Sequence, residues 1–159
     1  MIEVDFNQIN YNFSFALDEA SQAQRIGEVP VGAVIEAPTG KIIARGLNQK
    51  EQNLNACLHA EIVAISEASK VLGDWRLNNC SLYVTLEPCP MCMGAIIQSR
   101  LKNVYFGAYD LKGGAISLGF NIHQSNKLNH RVRTYGGFKH LECSKMLSDF
   151  FRKKRKNYI

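Results

Sequence analysis

The 159-residue sequence has no apolar run near the roughly 20 residues that a membrane-spanning helix needs. Its opening, MIEVDFNQIN, lacks a basic stretch followed by an apolar one and carries Glu3 and Asp5 instead, so no secretion signal is expected. Both absences predict a cytoplasmic protein that does not engage a membrane, in a compartment where thiols stay reduced. Cysteine is scarce and odd in number: Cys57, Cys80, Cys89, Cys92 and Cys143. An odd set of thiols in a reducing compartment argues against a disulfide framework and leaves room for a metal site. Internal repeats, low-complexity tracts and long linkers are also missing. The expectation is one domain over residues 1–159, large enough to bury about two-thirds of its unfolded surface without staples.

Acidic charge is in short supply at one place only. Lys and Arg number 19 against 14 Asp and Glu, a net charge of +5, and Arg152–Lys156 (RKKRK) holds five of the basic residues. Removing those five leaves 14 basic against 14 acidic residues, so the excess is carried by the basic C-terminal helix or tail, residues 150–159. A terminal cationic cluster is a phosphate-binding element when it is not simply a solvated helix end.

Periodicity supplies the elements. Phe6, Ile9, Phe13, Ala16, Leu17 and Ala20 fall at helical spacing, and Gly27 follows as a stop. Val31–Ala37 and Lys41–Leu47 read as strands joined by a turn at Pro38, Thr39 and Gly40. HAEIVAISEASKVLG reads as a helix, SLYVTLE as a buried strand, PMCMGAIIQSR as a helix and LKNVYFGAY as a strand. Residues 110–129 are loop-rich with one helical turn. HRVRTYGG is expected as an edge strand, and the segment from Gly137 to Lys156 as a closing helix. Alternating strands and helices predict an α/β domain whose central sheet is covered on both faces.

The chemistry is concentrated in LEPCPMC, Leu86–Cys92. Pro90 suits the first position of a helix, where its missing N–H would have had no partner, so Cys89 is expected as the N-cap and Cys92 in the first turn. Residues three apart share a helix face, and the positive end of the helix dipole favours thiolate over thiol. Two adjacent thiolates call for a cation between them. His59 opens the other central helix, and a His, Cys, Cys set leaves a fourth tetrahedral position for water, as in a catalytic rather than a structural zinc site. Zinc brings the pKa of its water to about 7. Glu61 stands about 200° from His59 on an ideal helix, but the looser first turn lets its carboxylate reach that water and shuttle a proton. Taken singly, the histidine would be a cap or surface residue and the CxxC a redox pair. Together, His-x-Glu opening one helix and Pro-Cys-x-x-Cys opening the next form a signature defined for zinc base deaminases.

From about Val29 to Arg155 the chain resembles the bacterial tRNA adenosine deaminases, through EVPVGAV, HAEI, LYVTLEPCPMC, FGAYD, NHR and LSDFF followed by basic residues. The resemblance implies a three-layer α/β/α cytidine deaminase-like fold with a five-stranded mixed sheet. It implies one zinc per subunit on His59, Cys89 and Cys92, with Glu61 as the proton shuttle. It further implies a homodimer that converts the wobble adenosine of an arginine tRNA anticodon to inosine. Asn48 is expected on the base or ribose, since an amide both donates and accepts. Asp110 is expected near a 2′-hydroxyl, and Val29 with Pro30 as an apolar wall. Phe151, Arg152, Lys154 and Arg155 are expected on the anticodon stem-loop, by stacking and phosphate contact. The family's usual Pro-Thr-Ala before the histidine is here Ala56, Cys57 and Leu58, and the bulk of Leu58 is expected to narrow the pocket mouth. Two other readings stay open: a deaminase of a free nucleobase or nucleoside, and a non-catalytic zinc-stabilised RNA-binding subunit. The basic ending speaks against the first and Glu61 against the second.

Overall fold

Asp5 starts the first helix by accepting hydrogen bonds from the backbone N–H groups of Asn7 (2.9 Å) and Gln8 (3.2 Å). That helix, α1 (Phe6–Arg25), buries Ile9, Phe13, Ala16, Ala20 and Ala23, a stripe at three- and four-residue spacing. The structure is a computed structural model that describes residues 5–156. The first four residues of the opening and the last three of the expected tail, 157–159, lie outside it. After α1 come β1 (Gly32–Glu36), β2 (Ile42–Leu47), α2 (Ala60–Leu72), β3 (Ser81–Leu86), α3 (Pro90–Gln98), β4 (Asn103–Ala108), a single 3₁₀ turn at Ile122–Gln124, β5 (Arg133–Gly136) and α4 (His140–Lys156).

The strands form one sheet in the order β2-β1-β3-β4-β5. β1 is antiparallel to both β2 and β3, while β3, β4 and β5 run parallel, so the sheet is mixed. Alternate residues feed two cores. Ala33, Ile35, Leu82, Val84, Val104 and Phe106 meet Ala60, Ala64 and Ala68 of α2 and Met93, Ile96 and Ile97 of α3. On the other face Val34, Tyr83 and Tyr105 meet Ile9, Phe13 and Ala16 of α1, with Phe138. The result is the expected three-layer α/β/α arrangement. Among the described residues no helix is long and apolar enough to cross a membrane.

Close approach of α2 to the sheet depends on Gly46. A Cβ there would collide with the carbonyl oxygen of Ala60, the first residue of α2, and sit 2.6 Å from the Ala64 nitrogen. Several ends are shorter than periodicity predicts, for local reasons. α3 stops at Gln98 because Arg100 turns left-handed, with φ 64°. α4 starts at His140 rather than Gly137, because Gly137 (φ 94°) and Lys139 (φ 49°) are left-handed too. β5 begins only at Arg133: ahead of it the His130 ring hydrogen-bonds to the Leu101 carbonyl and Val132 N–H donates to the His123 carbonyl, so the chain is tied elsewhere.

Candidate active site

Two helix N-termini face each other across the carboxyl end of β3. His59 is the N-cap of α2 and Cys89 the N-cap of α3, each in extended conformation, with Pro90 in the first helical turn behind Cys89. His59 Nδ1 lies 3.7 Å from Cys89 Sγ and 3.5 Å from Cys92 Sγ, and the three atoms lie within 4.8 Å of one another. Zinc–sulfur bonds of about 2.3 Å and zinc–nitrogen bonds of about 2.0–2.1 Å in a tetrahedron separate N and S ligands by about 3.6 Å. The donor set and its spacing therefore fit a zinc ion. Cys92 is fully buried and Cys89 half-buried.

The same crowding governs protonation. The Cys89 thiol is held down to about 4, foremost by its hydrogen bond with the Cys92 thiol, with His59 adding to the effect. The Cys92 thiol is pushed strongly up, by that same bond and by burial. His59 is raised by its bond to Cys89. Glu61, in the first turn of α2, is 4% exposed, and burial pushes its carboxyl up to about 7.

A cavity of about 270 Å³ opens onto this group, and its walls include Val29, Asn48, His59, Glu61, Cys89 and Asp110. Residues expected from five separate stretches of sequence thus converge on one space. Val31 and Leu86 extend the apolar wall, while Pro30 is buried outside it. Leu58 does not line the cavity. It is half-buried, and its carbonyl accepts from the Gln49 N–H at 3.0 Å, so its bulk does not narrow the mouth. Cys57 is exposed and stands apart from the ligand group.

Two carboxylates that periodicity did not single out hold the walls in place. Glu28 is fully buried, accepts from Gln52 N–H at 2.7 Å, and accepts from the Asn48 amide at 3.3 Å. The amide's NH₂ end is committed to Glu28, so Asn48 Oδ1 is left buried without a partner. Glu87, 2% exposed, accepts from Asp110 N–H (2.9 Å), Ser117 N–H (2.7 Å) and the Ser117 hydroxyl (2.6 Å). Those bonds fold residues 110–117 over the cavity, and Gly114 permits it, since any Cβ there would overlap the Glu87 carboxylate. Asp110 Oδ1 caps its own turn by accepting from the N–H groups of Lys112 (3.1 Å) and Gly113 (3.0 Å). The available signal for Glu87 was its place between a strand end and Pro88. For Glu28 there was none beyond its nearness to Val29.

Of the expected tail residues, Phe151 is 44% exposed while Phe150 is 8% exposed and faces the interior. Arg152, Lys154 and Arg155 are exposed, with Arg152 3.5 Å from Asp149. Lys153 shares a shallow groove with Gln24 near the end of α1, the helix that leads into Glu28 and Val29.

A mixed five-stranded sheet that aims His, Glu, Cys and Cys at one cavity from two helix N-termini defines a cytidine deaminase-like deaminase. The model of the MafB19-like deaminase family matches residues 7–155. The chain belongs to that family and, within it, with the bacterial tRNA-specific adenosine deaminases. It is 48% identical over 141 residues to the tRNA-specific adenosine deaminase of Bacillus subtilis, covering 89% of this chain and 87% of that one. It is 44% identical to the tRNA-specific adenosine deaminase of Aquifex aeolicus, covering 94% and 97%. A solved structure from studies of A-to-I editing by tRNA:A34 deaminases at the wobble position of transfer RNA superposes with a TM-score of 0.82. It is 38% identical and covers 87% of this chain and 99% of that one.

Proposed function

We propose that this chain hydrolytically deaminates the wobble adenosine of a tRNA anticodon to inosine, with an arginine tRNA as substrate. The observation that carries the reading is the convergence of His59, Cys89, Cys92 and Glu61 on one cavity walled by Val29, Asn48 and Asp110. Water adds to C6 of the purine, the C6–N6 bond breaks, ammonia leaves and a carbonyl remains at C6. His59 Nδ1 and the two thiolates would hold one zinc ion per subunit, which when bound supplies hydroxide at neutral pH. Glu61 takes up the proton of the attacking water and delivers it to the departing nitrogen. Its burial suits both halves of that task, because desolvation raises the carboxyl above the usual carboxylate range, toward the pH at which it takes up and releases a proton.

A base in a duplex or stacked loop cannot reach a buried cavity, so the adenosine is flipped in. Val29, Val31 and Leu86 offer the apolar wall for the flipped base. Asn48, which lines the cavity, hydrogen-bonds the base or its ribose through its amide. Asp110 presents its carboxylate to the ribose side while its Oδ1 keeps the turn closed. Arg152, Lys154 and Arg155, with Phe151, contact the anticodon stem-loop from the exposed end of α4. The active unit is a homodimer: Met91 on α3, and Leu118, Phe120 and Ile122 in the segment ending at the turn beside it, leave apolar surface for a second copy to cover. A tRNA substrate places the enzyme in the cytoplasm. The test is incubation with total tRNA followed by sequencing for inosine, beside a panel of free bases and nucleosides. Inosine at the wobble position and no turnover of free bases is the expected result. Turnover of a free base alone would assign the protein to small-molecule metabolism.

A further inference from the structure

At the end of the sheet opposite the catalytic cavity, five cationic or imidazole side chains gather around a second groove. Arg100, Lys102, His130, Arg131 and Arg133, with Asn79, line a space of about 420 Å³. They come from the turn after α3, the entry to β4 and the entry to β5. The cavity lies at the carboxyl ends of β3 and β4, so the two sites are separated along β4 by about 17 Å, at about 3.3 Å per residue.

The balance of charge is one-sided. Among the described residues, neither Arg100, Lys102, Arg131 nor Arg133 stands within ion-pair distance of a carboxylate. The nearby Asp74 is engaged by Arg76 at 3.5 Å. Lys102 and Arg133 also line a neighbouring recess with Asp5 and Glu36, where Glu36 accepts from the Tyr83 hydroxyl. Among the described residues no carboxylate lines the groove itself, so the like charges gathered there repel one another and an anion that joins them relieves it. A sequence-wide sum that is neutral outside the tail conceals this concentration.

Two further features separate the groove from an ordinary solvated face. Arg100 and Asn79 both line it in left-handed backbone conformation, with φ 64° and 62°. At the position after a helix that conformation is usually given to glycine, so an arginine there is held against local preference. Arg131 and Arg133 also line the adjoining recess with His123, which is 2% exposed and whose Nδ1 has no hydrogen-bond partner.

We propose that this groove is a second, non-catalytic site for the phosphate backbone of RNA. Planar guanidinium groups grip phosphate oxygens in pairs, and an open groove with cations on neighbouring strand ends suits a chain of phosphates rather than one enclosed anion. The backbone comes either from a distant part of the RNA whose adenosine occupies the cavity or from a second RNA molecule. The inference rests on the RNA-directed reading of the active site.

The experiment compares wild-type protein with Lys102→Ala/Arg131→Ala/Arg133→Ala, three exposed positions, by binding titration at several salt concentrations. The probe is a full-length tRNA lacking a wobble adenosine, so that binding is read apart from catalysis. The variant is expected to lower the slope of log affinity against log salt by about 2–3, since each of the three lost phosphate contacts removes about 0.7–0.9. Deamination of a short anticodon stem-loop is expected to stay within twofold of wild type, which also shows that the variant is folded. Loss of slope within a one-to-one complex assigns the contact to the same RNA. Loss of a second bound equivalent assigns it to another molecule. An unchanged slope and stoichiometry overturns the proposal. If wild type fails to deaminate the stem-loop while the tRNA slope still drops in the variant, the active-site reading fails and the groove stands.

Discussion

Glu28 and Asn48, twenty residues apart in sequence, meet in the wall of the cavity, where the buried carboxylate accepts from the amide at 3.3 Å. That bond commits the NH₂ end of the amide to Glu28 and leaves Oδ1 buried without a partner in the protein. Asn48→Ala is therefore expected to lower kcat/KM by about 10- to 100-fold, in line with a buried hydrogen bond worth roughly 1.5–3 kcal/mol when a partner is lost. Glu28→Gln keeps the shape but lets the amide turn, so a smaller loss follows. In the double variant the two losses should fall short of additive, a result that a double-mutant cycle on stem-loop deamination measures directly.

Purified protein is expected to carry about one equivalent of zinc per chain by elemental analysis. Cys89→Ser and Cys92→Ser should lose it, because the three donor atoms lie within 4.8 Å of one another and leave no spare ligand. Cys57→Ser should keep it, since Cys57 is exposed and outside that group. Zinc loss confined to Cys57→Ser would reverse the ligand assignment.

Glu61→Gln should retain zinc and tRNA binding while turnover drops by about 10²–10⁴-fold, the range for a lost general acid–base group. The side chain is nearly isosteric and sits in a closed part of the cavity. A thermal melt close to wild type is therefore expected beside the catalytic loss. Near-normal deamination by this variant would remove Glu61 from the proton path.

Deleting residues 152–159 should weaken tRNA binding and flatten its salt dependence without changing zinc content. The five basic residues of this segment stand on the exposed end of α4, while the ligands sit on α2 and α3. Identical slopes for full-length and truncated protein would show that the tail does not hold RNA.

Gly46→Ala should damage the site from a distance. A Cβ at Gly46 runs into the carbonyl of Ala60, between the ligand His59 and the proton carrier Glu61. Overpacking of this kind costs roughly 1–3 kcal/mol. The displaced helix end should lower zinc occupancy and turnover together, which elemental analysis and a rate assay on the same preparation would show.

What the sequence revealed was local. Pro90, the N-cap position of Cys89 and the first-turn place of Glu61 follow from rules that act over three or four residues, and so do the alternation of the strands and the stop at Gly73. Glu28 and Glu87 were silent because each acts through a hydrogen bond spanning 20 to 30 residues, and a lone glutamate carries no mark of burial. The place of Leu58 outside the cavity was equally hidden, because the backbone bond from Gln49 to its carbonyl joins residues nine apart and leaves no mark in the side chain's size. The basic groove was invisible for a third reason: its cations come from separate segments, and a net charge adds them up without regard to place.

Trp75, the only tryptophan in the chain, stands half in solvent with the Arg76 guanidinium 4.3 Å and that of Arg100 5.8 Å from its ring centre. Arg100 belongs to the basic groove as well, so one side chain touches both the indole and the space where phosphate would enter. The protein thereby carries its own optical gauge: an anion that draws Arg100 away from the indole alters the emission of the one tryptophan, excited apart from the six tyrosines at the red edge of its absorption. Occupancy at that end of the sheet can be followed by ultraviolet excitation alone, with no label attached and no reaction at the other end.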